Sequence, residues 1–532
     1  MIYSKISLSE TSLIAPIVKD YLRQENFLKP FYNEFNSLDS YKKIISSRNF
    51  DDSKRPVLID GLMKQYGELG YTSEANPLLF SNISSLKNPN TFTITTGHQL
   101  CLFGGPLFLT YKVLTAIKLC FELQKTYPEQ NFVPVLWLAS EDHDFEEINS
   151  IHLFGNDFKW YKNSENKPVG ILDLDGLKED IEGISKLIGN NQTGQKWIKL
   201  LEQSYLDSKN LSEASIKIFT QIFSDFGLIV LDPNQREFKL QFRKVMQDDI
   251  LNQCSYTAQK TADEKLGENY KLQINAREIN FFYIDPSSGR KMIRKAEGGF
   301  SLADSDRRFS AQEMANEIEE FPERFSPNVN LRPLFEENIL PNLAYVGGPA
   351  EVAYWLQLKP VFDYYSIPFP VVVLRSMNLL IGKSFLEKIE KTGLPIEKFL
   401  GSDTDISEAY LELGKKLEVR ESFDLILNEF QKIVDATRDI DKDISKGFLE
   451  TKLSMKDFFH QKNKDLKKSI ENAEAIQIEK VQKLRSKLFP KDVFQERIDT
   501  LMQHEVVLDQ SLIRLLFDEM EVFEDKLTVY SL

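Results

Sequence analysis

Short apolar and β-branched runs alternate with helical patterns over the first 395 residues. The second run is nearly all apolar, which is typical of a strand buried on both faces of a parallel sheet. A helical pattern from about Pro106 to Leu123 separates the first two runs. Strands alternating with helices predict an α/β core with a largely parallel sheet. The four predicted strands are Thr91–Thr96, Val133–Leu138, Leu228–Leu231 and Pro370–Leu374.

Two long intervals interrupt this alternation. Residues 155–225 and 235–340 are too many for a single crossover helix, so we expect an inserted subdomain in each. Residues 1–90 have a helical and loop-rich pattern without a recognisable motif. The sequence therefore predicts an α/β core over residues 1–395 that includes an N-terminal helical segment and two insertions.

The distribution of proline marks a different C-terminal region. Twenty of the 21 prolines lie at or before Pro395, and the remaining one is Pro490. Between them, Phe423, Phe430, Ile440 and Ile444 belong to a 3–4 alternation of apolar residues flanked by charged ones, which favours a coiled coil. An amphipathic helix pair packed on the main body would show similar spacing, but the wide polar faces favour a protruding arm. We predict a helical coiled-coil domain at 396–489 and a helical segment at 490–532 that packs back on the core.

Composition narrows the class of protein. The 532 residues carry a net charge of −14, and the pI is near 5.2. An acidic surface argues against nucleic acid or an anionic membrane as the main partner. Cys101, Cys120 and Cys254 form no metal-type pair and fit a reducing compartment. Without a signal peptide or a long apolar run, we expect a cytoplasmic protein.

The first candidate for chemistry is the segment Thr96–Pro106. It follows a predicted strand and opens a helix, where ligands bind in open α/β sheets and where backbone N–H groups favour anions. His98, Gln99, Gly104 and Gly105 are its candidate substrate-binding residues. The segment matches neither a Walker loop nor GxGxxG. A Gly-Gly turn with a structural histidine is the alternative interpretation.

An acidic cluster follows the second predicted strand. Glu141, Asp142, His143 and Asp144 come just after Leu138, and we take them as the catalytic candidates. Such residues could hold a substrate ammonium, act as a general base, or ligate a metal. A solvated, negatively charged helix start is the structural alternative. No second ligand set with metal-type spacing accompanies the cluster, so no metal site is predicted.

The Gly-Gly-Pro sequence occurs a second time, as Gly347-Gly348-Pro349. The longer pattern Gly-Gly-Pro-x4-Tyr recurs with Tyr111 and Tyr354. Both copies stand at predicted helix starts, so we expect two helix N-termini to face one pocket. Glu351 and Tyr354 lie three positions apart on the second helix, where both can point to a ligand.

Basic and amide residues complete the predicted pocket. Arg332, within the proline-bracketed turn Ser326–Pro333, is the best candidate for a bidentate clamp on a carboxylate, and Asn330 precedes it. Arg375 follows the last predicted strand and is a similar candidate. Lys112, on the helix after the first motif, is expected to reach the same pocket.

At these residues the chain resembles a known family. Four blocks in the family's order carry the resemblance: TGHQLCLFGGPLFLTYK, PVLWLASEDHDFEEIN, FSPNVNLRPLFEENILPNLAYVGGPAEVAYW and LFPKDVFQER. They resemble the bacillithiol biosynthesis cysteine-adding enzymes, many of which have Gln at the position of His98. The resemblance implies a Rossmann-like core similar to the catalytic domains of class I synthetases and nucleotidylyltransferases. It also implies inserted connecting domains and a coiled-coil arm that forms a homodimer.

The resemblance further implies the reaction. The family is assigned the last step of bacillithiol biosynthesis, in which L-cysteine is joined to glucosaminyl malate by an amide bond. Forming an amide from a free carboxylate requires activation, so ATP is the expected source. The HIGH and KMSKS signatures of class I synthetases are absent; only His98 and Arg375 stand near their places. The alternatives are a nucleotidylyltransferase acting on another amine and a non-catalytic assembly partner that uses the coiled coil.

Overall fold

The computed structural model describes residues 2–48, 50–162, 164, 166–414 and 418–532. Its strands are β1 Ile2–Ser7, β2 Thr91–His98, β3 Asn131–Leu138, β4 Ser150–Leu153, β5 Asn156–Lys159, β6 Ile229–Leu231, β7 Phe281–Asp285, β8 Gly289–Ala296, β9 Gly299–Leu302, β10 Arg308–Phe309, β11 Phe325–Pro327, β12 Asn342–Gly347, β13 Val371–Leu374, β14 Met377–Ile381 and β15 Lys526–Ser531.

The α-helices fill the intervals between these strands and most of the C-terminal region. They are α1 Pro16–Leu22, α2 Leu38–Ser47, α3 Arg55–Glu68, α4 Pro77–Ser85, α5 Leu107–Thr126, α6 Leu177–Ile188, α7 Gln192–Leu201, α8 Leu211–Ile222, α9 Arg236–Leu240, α10 Arg243–Asn252, α11 Cys254–Gly267, α12 Ala311–Glu320, α13 Arg332–Ile339, α14 Pro349–Tyr365, α15 Lys383–Glu390, α16 Asp403–Gly414, α17 Glu418–Thr437, α18 Lys442–Leu488, α19 Leu501–Leu508 and α20 Ile513–Glu519.

The core of the molecule is a five-stranded sheet in the order β13-β12-β2-β3-β6. Every neighbouring pair in it is parallel. The strands are buried almost throughout, and α5 packs against β2 and β3. This confirms the predicted parallel α/β core. The inner strand β12 was not predicted, although Leu343–Val346 is an apolar run after Pro341.

The strand order reverses between β2 and β12. From β2 the chain proceeds to β3 and β6 on one side, whereas β12 leads to β13 on the other. Helices at such a point leave in opposite directions, so a crevice opens at the carboxyl ends of the strands, and ligands of open α/β sheets bind there. In this chain His98 ends β2 and Gly347 ends β12.

The two long intervals contain different structures. Helices α6, α7 and α8 occupy the interval 155–225. The interval 235–340 contains an antiparallel sheet in the order β10-β9-β8-β7-β11. Strand β8 of this sheet brings Arg290 to the ends of the core strands, as described below.

The chain ends meet in a small third sheet. Strand β15 lies between β1, to which it is antiparallel, and β14, to which it is parallel. The two end strands were not predicted, whereas α1–α4 and α19–α20 in the same two regions are helical. Leu527, Val529 and Tyr530 of β15 are buried, whereas Lys526 is exposed and Thr528 is half-buried. Six residues of mixed composition give a weak signal, and pairing between distant parts of the chain decides their conformation.

Helices α17 and α18 form a long hairpin. With 47 residues, α18 extends for roughly 70 Å. Phe423 and Phe459 stack across the hairpin with ring centroids 4.2 Å apart. The helical arm agrees with the predicted coiled coil, but two predicted seam positions are wrong: Ile440 is 82% exposed and Ile444 53%. The reason is that α17 ends at Thr437, so both lie near the bend.

Two further observations concern the predicted arm and membranes. Residues 415–417 of the predicted domain 396–489 lie outside the described residues. Within the described part of the chain, none of the helices combines the length and apolar character needed to cross a bilayer.

Candidate functional site

A cavity of about 870 Å³ opens at the carboxyl ends of β2, β3 and β12. This size lies within the range of small-molecule and cofactor sites. Every predicted site residue lines it except Gly104, Gly105 and Gly347. The charged and polar residues in its wall include His98, Gln99, Lys112, Glu141, Asp142, His143, Asp144, Glu147, Arg277, Arg290, Asn330, Arg332, Tyr345, Glu351, Tyr354, Arg375 and Arg497.

An ion pair between a buried lysine and a half-buried glutamate spans the point where the strand order reverses. Lys112 of α5 places Nζ 2.7 Å from Glu351 Oε2 of α14 and 2.5 Å from the Gly97 carbonyl oxygen. Tyr345 donates its hydroxyl to Glu351 Oε1 at 2.5 Å, and the Gly348 N–H donates to Oε2 at 2.8 Å. The helices that follow β2 and β12 are thereby tied together beneath the cavity.

The protonation of this pair follows from its surroundings. Burial alone would raise the pKa of Glu351, but the Lys112 ammonium and the hydrogen bonds from Tyr345 and Gly348 outweigh it and lower that pKa to about 2. Burial lowers the pKa of Lys112, and Glu351 opposes that shift. The ammonium has three N–H groups, of which two are used, so one donor is left for the cavity.

The two Gly-Gly-Pro segments are not structural equivalents. Gly104 and Gly105 have φ of +88° and +68°, in the left-handed region, whereas Gly348 has an ordinary φ of −75°. A side chain at Gly104 would point toward Ile222 and Ile218 of α8 rather than into the cavity. The expectation that both loops face one pocket is therefore not met: Gly348 lines the cavity, and Gly104 and Gly105 lie outside it.

At each helix N-terminus behind these loops, a group of the chain itself accepts a hydrogen bond from one of the backbone N–H groups. The N–H of Leu107, the first residue of α5, donates to the Asp499 carbonyl oxygen at 2.8 Å. At α14 the carboxylate of Glu351 accepts from the Gly348 N–H and so occupies the helix start. The chain satisfies both positions with its own groups. Gly347, which ends β12, accepts from the Arg375 backbone N–H at 2.9 Å and likewise stands behind the cavity.

In the acidic cluster, Asp142 is the carboxylate best fixed toward the cavity. It accepts hydrogen bonds from Gln99 Nε2 at 2.9 Å, from Arg290 Nη1 at 3.2 Å and from the His143 N–H at 2.8 Å. Burial opposes ionisation, but these donors hold the pKa of Asp142 well below its usual range. Asp142 is therefore a permanent negative charge and a weak proton acceptor at neutral pH.

The other members of the cluster have different surroundings. Glu141 forms an ion pair with Lys239 at 2.5 Å, and both side chains are buried, so this carboxylate is committed to the protein. Burial raises the pKa of Glu141 and lowers that of Lys239, with the partner opposing each shift. The His143 ring lies beside Arg290, with Nδ1 3.1 Å from Nη1. Asp144 is exposed at the cavity wall.

Two predicted carboxylate clamps are already engaged by carboxylates of the protein. Arg332 donates to buried Glu336 at 2.7 Å and to the Tyr354 hydroxyl at 3.2 Å. Arg375 donates to both oxygens of Glu496, at 2.7 and 2.5 Å. The geometry predicted for a substrate carboxylate is thus used inside the protein, and Arg332 and Arg375 hold the cavity wall in place.

Asn330 belongs to a cluster of buried amides. Its Nδ2 donates to the Asn275 carbonyl oxygen at 3.1 Å and to Asn280 Oδ1 at 2.8 Å. Its Oδ1 is buried and accepts no hydrogen bond from the described residues. Because a buried acceptor without a partner is costly, this oxygen fits a donor supplied by a ligand.

His98 is neutral and has a defined tautomer. Desolvation lowers the pKa of His98 to about 4, and the Lys112 ammonium acts in the same direction. Nδ1 lies 3.0 Å from the Gln99 carbonyl oxygen, which can only accept, so Nδ1 carries the proton and Nε2 is an acceptor. Cys101 Sγ lies 3.7 Å from this ring, and burial raises the pKa of that thiol to about 12.

The sequence did not identify several residues in the cavity wall. Arg290 and Arg277 lie in the interval 235–340, and neither has a local motif. Arg497 could have been considered, because it ends the fourth block of the resemblance, LFPKDVFQER. Tyr345 lies two positions before the second Gly-Gly-Pro segment and was not predicted as a site residue. Among the described residues, no group of three or more His, Cys, Asp or Glu side chains is arranged to hold a metal ion.

Comparison with known proteins covers the whole chain. Residues 1–376 match the family model "Bacillithiol biosynthesis BshC, N-terminal Rossmann-like domain", and residues 378–532 match "Bacillithiol biosynthesis BshC, C-terminal coiled-coil domain". A Flavobacterium johnsoniae protein named "Putative cysteine ligase BshC" is 34% identical over 98% of each chain. A protein of the same name from Flavobacterium psychrophilum is 33% identical over 97% of each chain. By its sequence and by the Rossmann-like and coiled-coil parts of its fold, the chain belongs to the bacillithiol biosynthesis BshC family.

Proposed function

We propose that the protein is a ligase that joins the carboxyl group of L-cysteine to the amino group of glucosaminyl malate, the last step of bacillithiol biosynthesis. One observation carries this proposal: in a member of the BshC family, the cavity at the strand-order reversal presents a fixed, ionised Asp142 toward the ligand space. The printed name of the relatives is consistent with it.

The residues of the wall suit the two amines of this reaction. Asp142 is a stable negative charge for the ammonium of cysteine. Asn330 Oδ1 is a buried acceptor for a substrate N–H or O–H group. Asp144 is exposed and not engaged in the described contacts, so it is our candidate to take the proton that the glucosamine nitrogen releases on forming the amide. Glu141 and His143 support the wall in this proposal, Glu141 through Lys239.

The source of activation is proposed to be ATP. A free carboxylate does not form an amide with an amine in water. When bound, ATP would make the cysteine carboxylate reactive toward the amine. The cavity volume and its position at the strand-order reversal fit a nucleotide together with a small substrate. Lys112 would donate its remaining N–H to an anionic group there, and His98 Nε2 would accept from a hydroxyl or amine.

The proposal is tested by the mass of the product. Purified protein with L-cysteine, glucosaminyl malate and ATP is expected to form the cysteinyl amide, detected by mass spectrometry as the sum of both substrates less one water. Omitting ATP should abolish the product. Product without ATP would contradict the role of ATP, and no product in either condition or with cell extract would contradict the ligase. Transfer of the nucleotide to an amine would instead support the nucleotidylyltransferase alternative.

We also propose that the α17–α18 arm forms a homodimer. Apolar side chains remain exposed along its flanks in the single chain, including Leu449 at 42%, Leu453 at 53%, Phe458 at 57% and Ile476 at 70%. Exposed apolar residues repeated along a helical hairpin are typical of a surface that is covered by a partner helix. A second copy of the same arm has the complementary pattern by symmetry.

Charged substitutions on these flanks are expected to separate the dimer. Two double variants, Leu449→Glu with Leu453→Glu and Phe458→Glu with Ile476→Glu, test one flank each, because burying carboxylates there is costly. Light scattering after size-exclusion chromatography is expected to give a monomer mass for at least one. The matched control, Ser454→Glu with Gln461→Glu, adds the same charge at exposed polar positions. A dimer in all three would contradict this role of the arm.

A further inference from the structure

A second cavity of about 490 Å³ adjoins the main one. We call it the side chamber; Cys101, Ile151, His152, Asp157, Lys491 and Ile498 are among its lining residues. The two cavities share His98, Gln99, Phe108, Glu147 and Arg497. A ligand longer than one cavity would therefore pass these shared residues. Arg497 is the cation among them.

Most cations in the wall of the main cavity are neutralised by a carboxylate of the protein. The pairs are Lys112–Glu351 at 2.7 Å, Arg290–Asp142 at 3.2 Å, Arg332–Glu336 at 2.7 Å and Arg375–Glu496 at 2.5 Å. Within the part of the chain that the structure describes, the guanidinium groups of Arg277 and Arg497 have no hydrogen bond or ion pair. Lys112 shares its charge with Glu351 and has one N–H left for a ligand, whereas the guanidinium groups of Arg277 and Arg497 have no carboxylate partner among the described residues.

The backbone of Arg497 is held in place by its neighbours in the chain. The two preceding side chains are buried and engaged: Gln495 bonds both the N–H and the carbonyl oxygen of Leu380, and Glu496 binds Arg375. The Arg497 guanidinium lies over the Phe108 ring, 5.5 Å from its centroid. The backbone of Arg497 is thus held by the C-terminal region, while its guanidinium group contacts the Phe108 ring and has no ion-pair partner among the described residues.

We propose that Arg497 binds the carboxylate-bearing end of the acceptor substrate at the opening between the main cavity and the side chamber. This inference rests on the proposed function, in which the acceptor, glucosaminyl malate, carries two carboxylates. A guanidinium offers a planar pair of N–H donors that matches a carboxylate. Arg332, predicted from the sequence for this role, is already paired with Glu336. Arg497 is therefore a specificity-determining residue contributed by the C-terminal region, residues 378–532.

The test measures binding separately from catalysis. Isothermal titration of the full-length protein with L-malate and with glucosaminyl malate is expected to give a dissociation constant at least tenfold higher for Arg497→Met than for the wild type. Arg497→Lys, which keeps the charge but loses the planar pair of donors, should give a smaller increase. Methyl glucosaminide, which has no carboxylate, should bind both proteins alike. In turnover, the KM for glucosaminyl malate should rise while the KM for cysteine does not.

Two comparison variants make the outcome decisive. Arg308→Met removes an exposed arginine of β10 that lies outside both cavities, and its titrations should match the wild type. If Arg497→Met, with an unchanged melting temperature, binds L-malate and glucosaminyl malate as tightly as the wild type, Arg497 does not bind the carboxylate. The same conclusion follows if Arg277→Met alone loses binding of these two ligands. Failure of the wild type to bind either carboxylate also overturns this role of Arg497. Carboxylate binding that depends on Arg497 without any cysteinyl product would leave this role standing and reject the ligase.

Discussion

Replacing Lys112 by Met is expected to lower the free energy of unfolding by about 3 kcal/mol, because it leaves the carboxylate of Glu351, whose side chain is only 22% exposed, without its counter-ion. Glu351 would keep its hydrogen bonds from Tyr345 and Gly348, so we expect the lower end of the usual range for such a loss. The measurement is denaturant unfolding followed by tryptophan fluorescence. Trp355 reports on this region, because the centroid of its ring lies 4.5 Å from the centroid of the Tyr345 ring.

Two comparison variants separate the ion pair from general effects of losing a lysine. Lys118→Met removes another buried lysine of α5, whose Nζ donates to the carbonyl oxygens of Phe517 and Asp518. Its loss removes a 3.7 Å contact with Glu122, but Glu122 keeps Lys125 as a partner at 3.2 Å, so the variant should cost about 1 kcal/mol. Adding Glu351→Gln to Lys112→Met should recover part of the stability. Equal losses for Lys112→Met and Lys118→Met would contradict the role given to the pair.

The pH dependence of this difference has a defined sign. Glu351 has a folded-state pKa of about 2, below its ordinary value of 4.5. A carboxyl group with a lowered pKa contributes stability that is complete above pH 4.5 and is lost as the pH falls toward 2. The stability difference between the wild type and Lys112→Met should therefore be constant at neutral pH and shrink across that acidic window.

The core of the fold was predictable because its signals are local. The runs at 133–138 and 371–374 are apolar and rich in β-branched residues. A proline lies within the first run, at Pro134, and directly before the second, at Pro370. Strand β12 was missed because its apolar run stands directly before a Gly-Gly-Pro segment that indicates a helix start. The end strands β1 and β15 form through pairing between residues more than 500 positions apart, as in Ile6 with Leu527. No window of sequence contains that information.

The candidate site likewise contains features that local sequence predicted and features that depend on contacts between distant residues. Position after a predicted strand indicated Asp142, and position on the helices that follow the two Gly-Gly-Pro segments indicated Lys112 and Glu351; the structure brings all three to one cavity. The sequence could not show which charged side chains form ion pairs within the protein and are therefore not available to a substrate. Arg332 and Arg375 have the right chemistry for a substrate clamp, but Glu336 and Glu496 occupy them, and Glu496 is 121 positions from Arg375. The repeated Gly-Gly-Pro pattern misled because identical residues adopt different backbone conformations in the two loops.

Replacing Asp142 by Asn is expected to lower kcat/KM for cysteine about 100-fold, because the neutral amide cannot balance the cysteine ammonium and leaves Arg290 without its counter-ion. Asp142 has a pKa well below its usual range, so it is ionised throughout the range in which the enzyme can be assayed. The wild-type profile of kcat/KM should therefore lack an acidic limb from this group. An acidic limb near pH 6 that disappears in Asp142→Asn would show instead that Asp142 works as a general base.

A substrate analogue makes the assignment specific to the ammonium. 3-Mercaptopropionate is cysteine without its α-amino group, so the wild type should discriminate strongly against it, and Asp142→Asn should lose most of that discrimination. Glu146→Gln is the matched control, since Glu146 is exposed, pairs with Lys159 and lies outside the cavity wall. It should behave as the wild type toward both substrates. If Asp142→Asn, alone or with Glu141→Gln, retained full activity and full discrimination, the ammonium of cysteine would have to be bound elsewhere, and Asp144 would be the next carboxylate to replace.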